Sequence, residues 1–202
     1  MMPAMSGIRT GRAGAVAVTL AVTCLCGCGG AESSSRPSPS SSPVSPAGTT
    51  TAASLVVSSA DLATGTYPAD LTCDGVDRPP AVTWGPLAAG TGAVVVDLTD
   101  PDAPQTTFTH WLLVGDHPDP AGQTITAAAP AGFVTGTDDF GVTGYRGPCP
   151  PRGSVHHYHL RVRSLAQPLG LQPGFSAADL ARAVASATVL QSGEVVATYA
   201  RR

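Results

Sequence analysis

Short runs of apolar, mostly β-branched residues begin near Leu55 and are separated by Pro, Gly and Asp. The continuous apolar run at 93–98 is typical of a strand buried on both faces, and the runs at 111–114 and 194–199 also have the length and composition of strands. Pro, Gly and Asp separate strands because they favour turns. The pattern therefore predicts a mainly β domain.

One segment alternates between polar and apolar side chains, with His157, His159, Arg161 and Arg163 in one set and Tyr158, Leu160 and Val162 in the other. An alternation of period two is typical of a strand with one exposed face. If the strand already includes His156, that histidine lies on the same face as Tyr158. We therefore expect His156 and Tyr158 to face an enclosed site together, while His157 and His159 point away from it.

A helix is predicted near the C-terminus. Ser176 and Asp179 have the spacing of a capping box, in which each side chain accepts a hydrogen bond from the other residue's backbone. Leu180, Val184 and Ala187 then fall on one face of a helix that extends to about Ala187. We interpret it as a packing helix without a role in chemistry.

The N-terminus has the features of a signal peptide spanning residues 1–27. Arg9 and Arg12 supply a positive segment, and residues 13–25 form an apolar stretch too short to span a bilayer. The sequence Leu-Cys-Gly-Cys at 25–28 is similar to a bacterial lipoprotein box, which makes Cys28 the residue expected to be acylated. Cleavage of an ordinary secretory peptide at a nearby small residue is the alternative. The lipoprotein interpretation predicts an extracytoplasmic protein anchored in the cell membrane.

Residues 28–53 are rich in Ser, Thr, Pro, Ala and Gly and carry almost no large apolar side chain. Such a segment cannot bury enough surface to offset the entropy of ordering it, so we expect a disordered linker. It would tether the domain at 54–202 to the membrane. The length of the chain, 202 residues, suits one globular domain of this kind.

Charge and composition exclude several classes of function. Acidic residues exceed arginines by 14 to 11 and no basic stripe is present, so nucleic-acid binding is not expected. The chain contains no lysine and no asparagine. A P-loop and a pyridoxal Schiff base both need a lysine, and kinase-type phosphoryl transfer needs a lysine and a metal-binding asparagine. No cofactor is expected.

Two motifs concentrate acids, imidazoles, a phenol and stiff prolines. The first runs from Asp-Pro-Asp-Ala-Pro at 100–104 to Thr-His-Trp at 109–111, and the second from Gly-Pro-Cys-Pro-Pro at 147–151 to His-His-Tyr at 156–158. Further pieces follow the same order along the chain: Thr-Cys-Asp-Gly at 72–75, Pro79 and Pro80 with Trp84, Asp-Phe-Gly at 139–141, and Gly144 with Tyr145. In this ordered set, from about Leu55 to Tyr199, the chain resembles the phosphatidylethanolamine-binding protein (PEBP) family. Within that family it is similar to the bacterial branch called Raf-kinase-inhibitor-like proteins.

The resemblance implies an antiparallel β-sandwich with one or two short helices and a small pocket that accepts phosphate-like anions. The residues that match the pocket motifs are Asp100, His110, Gly147, Cys149, Pro150, Pro151, His156 and Tyr158. One position departs from the family pattern, because His157 stands where an arginine is common. That departure and the lack of lysine put lipid head-group affinity in question more than the fold.

The chemistry of these side chains suits a phosphate ligand. Imidazoles, a phenol and free backbone N–H groups are all directional donors, and a Gly/Pro-rich loop exposes backbone N–H groups. Asp100 is expected either to orient a histidine by accepting its second ring N–H or to meet the ammonium of an ethanolamine head group. Asp102 is interpreted as the cap of the Pro-flanked turn. Trp84 and Trp111 are interpreted as core residues.

Cys73 and Cys149 are the two cysteines that remain beyond the signal peptide and Cys28. An even pair outside the cytoplasm favours a disulfide, and two buried thiols are the alternative. A metal site at the His157-x-His159 spacing is a rival interpretation of the histidines. The same face also carries Arg161 and Arg163, which suit solvent better than a metal, so no metal is expected.

Three functions compete. The first is a binding module for a small anionic or phosphorylated ligand, held at a membrane by its lipid anchor. The second is a hydrolase that uses His156 or His110 as general base with Asp100 as its orienting acid; it lacks a convincing nucleophile, so we do not expect an enzyme. The third is a regulator or inhibitor that binds a protein partner through its surface loops.

Overall fold

The computed structural model of the protein describes residues 52–202. The predicted signal peptide, Cys28 and the predicted linker up to residue 51 lie outside the described residues. Within 52–202 the chain forms strands β1 (Ala53–Ser54), β2 (Val57–Ser58), β3 (Val82–Trp84), β4 (Ala93–Asp100), β5 (Phe108–Asp116), β6 (Gln123–Ile125), β7 (Val134–Thr135), β8 (Val155–Leu165) and β9 (Val189–Ala200), helix α1 (Ala177–Ala185), and short 3₁₀ turns at Ala60–Leu62 and Ala69–Leu71. No helix in this part of the chain is long and apolar enough to cross a membrane.

The strands form two sheets. The larger sheet has the order β1-β9-β8-β4-β5-β7, and the smaller has the order β2-β3-β6. All neighbouring strands are antiparallel except β1, which pairs with β9 in parallel. The predicted mainly β sandwich with a short helix is confirmed. We call the face of the larger sheet that packs toward the smaller sheet its inner face, and the opposite face its outer face.

Strand β4 lies in the middle of the larger sheet and is buried on both sides, as its apolar run predicts. Val94, Val96 and Leu98 belong to the inner core, which also contains Trp84 and Trp111. The alternate residues Ala93 and Val95 belong to a second core under α1 on the outer face. Because successive side chains of a strand point to opposite faces, one continuous apolar run supplies both cores. The assignment of both tryptophans to the core is confirmed.

Helix α1 covers part of the outer face. Its N-terminus has the predicted capping box, in which the Ser176 hydroxyl accepts from the Asp179 N–H and the Asp179 carboxylate accepts from the Ser176 N–H. Leu180 is buried in the outer core, and Val184 and Ala187 pack against it. The helix itself ends at Ala185, slightly before the predicted end at about Ala187.

Strand β8 alternates between exposed and buried residues along its first half, as its sequence predicts. His156 and Tyr158 are buried on the inner face, and His157 is exposed on the outer face. His159 lies on the same outer face, half-buried. The strand therefore places His156 and Tyr158 next to each other in the interior of the sandwich.

Candidate functional site

A cavity of about 150 Å³ lies on the inner face where one end of β4 meets the beginnings of β5 and β8. The antiparallel register produces this meeting point, because Asp100 at the end of β4 pairs with Phe108 at the start of β5. His156 near the start of β8 reaches the same end of the sheet. The cavity is lined by Asp100, Ala103, Pro104, Phe108, His110, Phe140, Cys149, Pro150, Pro151, His156 and Tyr158.

Seven of the eight residues expected in the pocket line this cavity. Gly147 does not, and instead lines an adjoining cleft of about 220 Å³ that also contains Arg146, Asp77 and the disulfide. Sequence reasoning missed Ala103, Pro104, Phe108 and Phe140 as lining residues. Phe108 had a usable signal, because it stands two residues before His110 in the same strand.

Asp100 and His156 form a buried pair inside the cavity. The Nδ1 atom of His156 lies 2.7 Å from Oδ2 of Asp100, and both side chains are less than a tenth exposed. Because an ionised carboxylate only accepts hydrogen bonds, Nδ1 is the donor and the ring's Nε2 atom is left for a ligand. The other oxygen of Asp100 accepts from the backbone N–H of Asp102 at 2.9 Å. Asp100 thus orients the histidine and caps the following turn.

A β-bulge in β5 brings His110 into the same cavity. In the pairing with β4, Trp111 lies opposite Leu98 and Thr109 lies opposite Thr99, so His110 is the additional residue. Without the bulge, strict alternation would place His110 on the opposite face from Trp111. Bulges re-aim side chains in this way and are frequent beside functional sites.

His110 is held by a backbone carbonyl. Its Nδ1 atom lies 2.8 Å from the carbonyl oxygen of Arg146, so Nδ1 carries the proton that is donated. Burial lowers the pKa of His110 below its ordinary value near 6.5, although the Arg146 carbonyl and Asp100 oppose that shift. The ring is therefore neutral at pH 7, and its Nε2 atom is a hydrogen-bond acceptor in that state.

Tyr158 supplies an unused hydroxyl. The side chain is buried, and its hydroxyl makes no hydrogen bond of good geometry with a described residue, although the Asp100 carboxylate is close enough to interact with it. Burial, with the charge of Asp100, raises the pKa of Tyr158 far above its ordinary value, so the hydroxyl keeps its proton. Its ring packs edge-on against His110 at 5.4 Å between ring centres. A buried donor in this state lowers the stability of the fold unless another group accepts from it.

The loop that carries Pro150 and Pro151 is fixed at several points. Cys149 forms a disulfide with Cys73, with Cα atoms 5.5 Å apart. The Gly147 N–H donates to Asp77 Oδ1 at 2.7 Å, and the Tyr145 hydroxyl donates to the Leu71 carbonyl at 2.7 Å. These contacts join the proline wall of the cavity to the segment around residues 71–77. The favoured interpretation of the cysteine pair as a disulfide agrees with the structure.

Two phenylalanines form the rim of the cavity. The rings of Phe108 and Phe140 meet edge-on with centres 4.7 Å apart, and Phe140 is 51% exposed. The turn that carries Phe140 is held to β5, because the Thr109 N–H donates to Asp139 Oδ2 at 2.7 Å and the Asp139 N–H donates to the Thr109 carbonyl at 3.0 Å. The entrance to the cavity is therefore apolar.

The histidines on the other face of β8 have separate carboxylate partners. The Asp102 carboxylate accepts from both the backbone N–H and Nδ1 of His157, at 2.8 and 2.7 Å. The interpretation of Asp102 as the cap of its turn is therefore wrong, because Asp100 accepts that turn's N–H. His159 pairs with Glu194 at 2.9 Å. Within residues 52–202, no group of three or more His, Cys, Asp or Glu side chains is arranged to hold a metal ion.

Comparison with known proteins shows which family the chain resembles. The sequence model described as phosphatidylethanolamine-binding protein matches residues 57–200. A UPF0098 protein of Pyrococcus horikoshii is 40% identical over 141 residues, which cover 67% of this chain and 71% of that protein. A UPF0098 protein of Mycobacterium tuberculosis is 36% identical over 163 residues, covering 79% of this chain and 75% of that protein.

Solved structures share the fold. Escherichia coli YbcL, described as a new member of the mammalian PEBP family, superposes with a TM-score of 0.67 and 25% identity over 74% of this chain and 100% of its own. A PEBP homologue from Chlamydia trachomatis superposes with a TM-score of 0.66 and 22% identity over 74% of this chain and 99% of its own. Fold and site define a β-sandwich protein with a small, proline-walled cavity at one end of its larger sheet. The chain belongs to the phosphatidylethanolamine-binding protein family.

Proposed function

We propose that this protein is an extracytoplasmic, lipid-anchored binding protein whose inner cavity takes a phosphate group or a similar small anion, such as a phospholipid head group. The observation that carries the proposal is the buried Asp100–His156 pair beside the unpartnered hydroxyl of Tyr158. Members of the family are generally binding proteins. A cavity of about 150 Å³ has room for a head group but not for a lipid chain.

The hydrogen-bonding groups of the cavity favour an anion that still carries a proton. Tyr158 donates through its hydroxyl, whereas neutral His110 accepts through Nε2. A singly protonated phosphate group offers an oxygen to the Tyr158 hydroxyl and an O–H to Nε2 of His110. At lower pH, His110 becomes a second donor and also accommodates a fully deprotonated oxyanion. Protonation of the anion and protonation of His110 both make anion binding tighter as the pH falls.

The proposed location depends on the N-terminal sequence. Cleavage before Cys28 would expose that residue for acylation, and the polar linker would hold the domain away from the bilayer. The Cys73–Cys149 disulfide supports this location, because disulfides persist in oxidising compartments. Replacing Cys28 with Ser should move the protein from the membrane fraction to the soluble fraction. Retention of the C28S protein in the membrane would refute the anchor.

A titration tests the pocket. We would add inorganic phosphate, phosphoethanolamine and acetate separately to the purified full chain and follow the NMR signals of His110 and Tyr158. The H156A variant should lose these saturable shifts, because the oriented imidazole is gone. The matched control is H159A, which removes a histidine from the opposite face of the same strand. Binding that survives unchanged in H156A would refute the proposal.

The same variants separate pocket binding from regulation of a protein partner. A regulator or inhibitor that acts through its surface loops keeps its activity in H156A, whereas one that depends on a bound anion loses it. Either partner role would be built on the same fold.

Hydrolysis is the second candidate function, and the Asp100–His156 pair is the observation that favours it. The pair has the arrangement of an oriented general base. The described side chains that line the cavity include no serine or threonine, and Cys149 is in the disulfide. His156 would therefore have to activate a water molecule. Release of phosphate from a phosphomonoester by the wild type but not by H156A would establish the enzyme; no release would leave the binding function.

A further inference from the structure

A second cavity, of about 170 Å³, lies on the outer face of the larger sheet between β4, β5, β8 and the first turns of α1. Its polar lining consists of Asp97, Thr99, Thr109, Arg161 and Arg163. Asp97 and Asp100 stand an odd number of residues apart in β4, so their side chains lie on opposite faces of the sheet. The outer cavity is therefore separated from the inner cavity by the thickness of the sheet.

The outer cavity carries an excess of positive charge. Asp97 is buried and accepts from Arg161 at 2.8 Å through one oxygen and from Arg163 at 2.7 Å through the other. Two guanidinium groups therefore share one carboxylate. Glu194, the cross-strand neighbour of Arg161, bonds His159 and does not line the cavity. The ionised groups that line the cavity thus sum to one positive charge, which the nearby Glu194 carboxylate offsets in part at Arg161.

Both arginines also have unused donors. The Nε–H groups of Arg161 and Arg163 are buried and have no hydrogen-bond partner among the described residues. A buried donor without a partner costs free energy, and the cost is greater for a charged group. A purely structural ion pair would need only one arginine for one carboxylate, and ion pairs whose arginine is partly exposed, as Arg161 and Arg163 are, contribute little net stability. The second guanidinium is explained if an anion completes the site.

We propose that the outer cavity binds a small oxyanion, either a phosphate or the carboxylate of an organic acid, between Arg161 and Arg163. Guanidinium groups present several N–H donors in one plane and bind oxyanions through paired hydrogen bonds. The hydroxyl groups of Thr99 and Thr109 lie in the same lining and add neutral donors. This site would function independently of the inner cavity.

The direct test follows the arginine Nε–H signals of the full chain by NMR while phosphate or acetate is added at constant ionic strength. The Nε–H signals of Arg161 and Arg163 should shift and saturate, and the two anions distinguish a phosphate site from a carboxylate site. R163Q should weaken this binding by at least about tenfold, the loss of one charge-assisted contact. R182Q, which removes an exposed arginine of α1, should leave it unchanged. The H156A variant should also keep it, because His156 lies on the inner face.

Replacing Asp97 should change the anion affinity in the opposite direction. The D97N variant removes the carboxylate that competes for both guanidinium groups, so it should bind the anion more tightly than the wild type. A merely structural ion pair would only lose stability in D97N and gain no affinity. If D97N does not fold, the R161Q variant provides the test instead. It leaves Asp97 paired with Arg163 alone and should bind the anion at least about tenfold more weakly than the wild type. Wild-type Nε–H signals that do not move, or that move no more than that of Arg182, would overturn the proposal.

Discussion

The two histidines of the inner cavity have different surroundings. His156 donates from Nδ1 to a carboxylate, whereas His110 donates from Nδ1 to a backbone carbonyl. In both rings Nε2 is therefore the nitrogen that these contacts leave available, but the two rings are held by different acceptors. A carboxylate is a stronger hydrogen-bond acceptor than a neutral carbonyl, so it holds its imidazole ring more firmly in one orientation. Single-residue changes should separate these two contributions.

Replacing Asp100 with Asn tests the carboxylate. The amide oxygen can still cap the turn at Asp102, but the charge that supports His156 is lost. Phosphate affinity should fall about tenfold or more, the usual effect of losing a hydrogen bond to a charged group. Calorimetric titration measures it, with D102N as the control because Asp102 pairs with exposed His157. Equal affinities in D100N and the wild type would contradict the assigned role.

The lowered pKa of His110 makes a prediction for stability. Because burial lowers this pKa in the folded state, the unfolded chain binds more protons below the ordinary value near 6.5. The free energy of unfolding should therefore decrease as the pH falls from about 7 to about 5.5. Urea unfolding at several pH values measures the slope, and H110Q should show a shallower one. An unchanged slope in H110Q would show that other groups cause the effect.

At the scale of elements, the alternation of residues along a strand predicts the sheet face of some side chains and fails for others. The alternation in β8 is sufficient to place His156 and Tyr158 together, because that strand has no irregularity near them. The same rule fails at His110, where the β-bulge turns two successive residues of β5 toward the inner face. Nothing in the local sequence marks this bulge, since it depends on the pairing with β4. Only the family resemblance brought His110 into the predicted site.

Gly147 tests how closely the cavity loop approaches its neighbours. A Cβ atom at this position would lie 2.0 Å from the Leu71 carbonyl oxygen and 2.8 Å from Asp77 Oδ1. G147A should therefore displace the loop, lower the free energy of unfolding by roughly 1–3 kcal/mol and weaken anion binding. G85A is a suitable control, because its Cβ would meet only Val56 at an ordinary 3.7 Å. Urea unfolding compares them, and equal stabilities would contradict the close contact.

For the whole molecule, the sequence predicts the sandwich and the cysteine pair but not the placement of charged groups on both faces of the larger sheet. Regular strand patterns and the ordered motifs are sufficient to predict the fold. In contrast, the contact between Asp97 and both arginines depends on the register of β4 against β8, which one sequence does not reveal. Phe140 was missed for a similar reason, since it reaches the cavity from a separate turn.

The disulfide links segments 76 residues apart in the sequence and should contribute to global stability. Replacing both Cys73 and Cys149 with Ser should lower the free energy of unfolding by roughly 2–5 kcal/mol, because the unfolded chain gains freedom. Adding a reductant to the wild type should have a similar effect, and the double variant should not respond to it. Identical unfolding of wild type and variant would show that the bond adds nothing to the fold.

The central claim is that the inner cavity holds a phosphate group between His110, His156 and Tyr158. A crystal structure of the full chain with phosphoethanolamine, at a concentration that saturates binding in solution, tests this claim most directly. We expect the phosphate within hydrogen-bond distance of the Tyr158 hydroxyl and of Nε2 on both histidines. A head group bound elsewhere, with the inner cavity empty, would contradict the account.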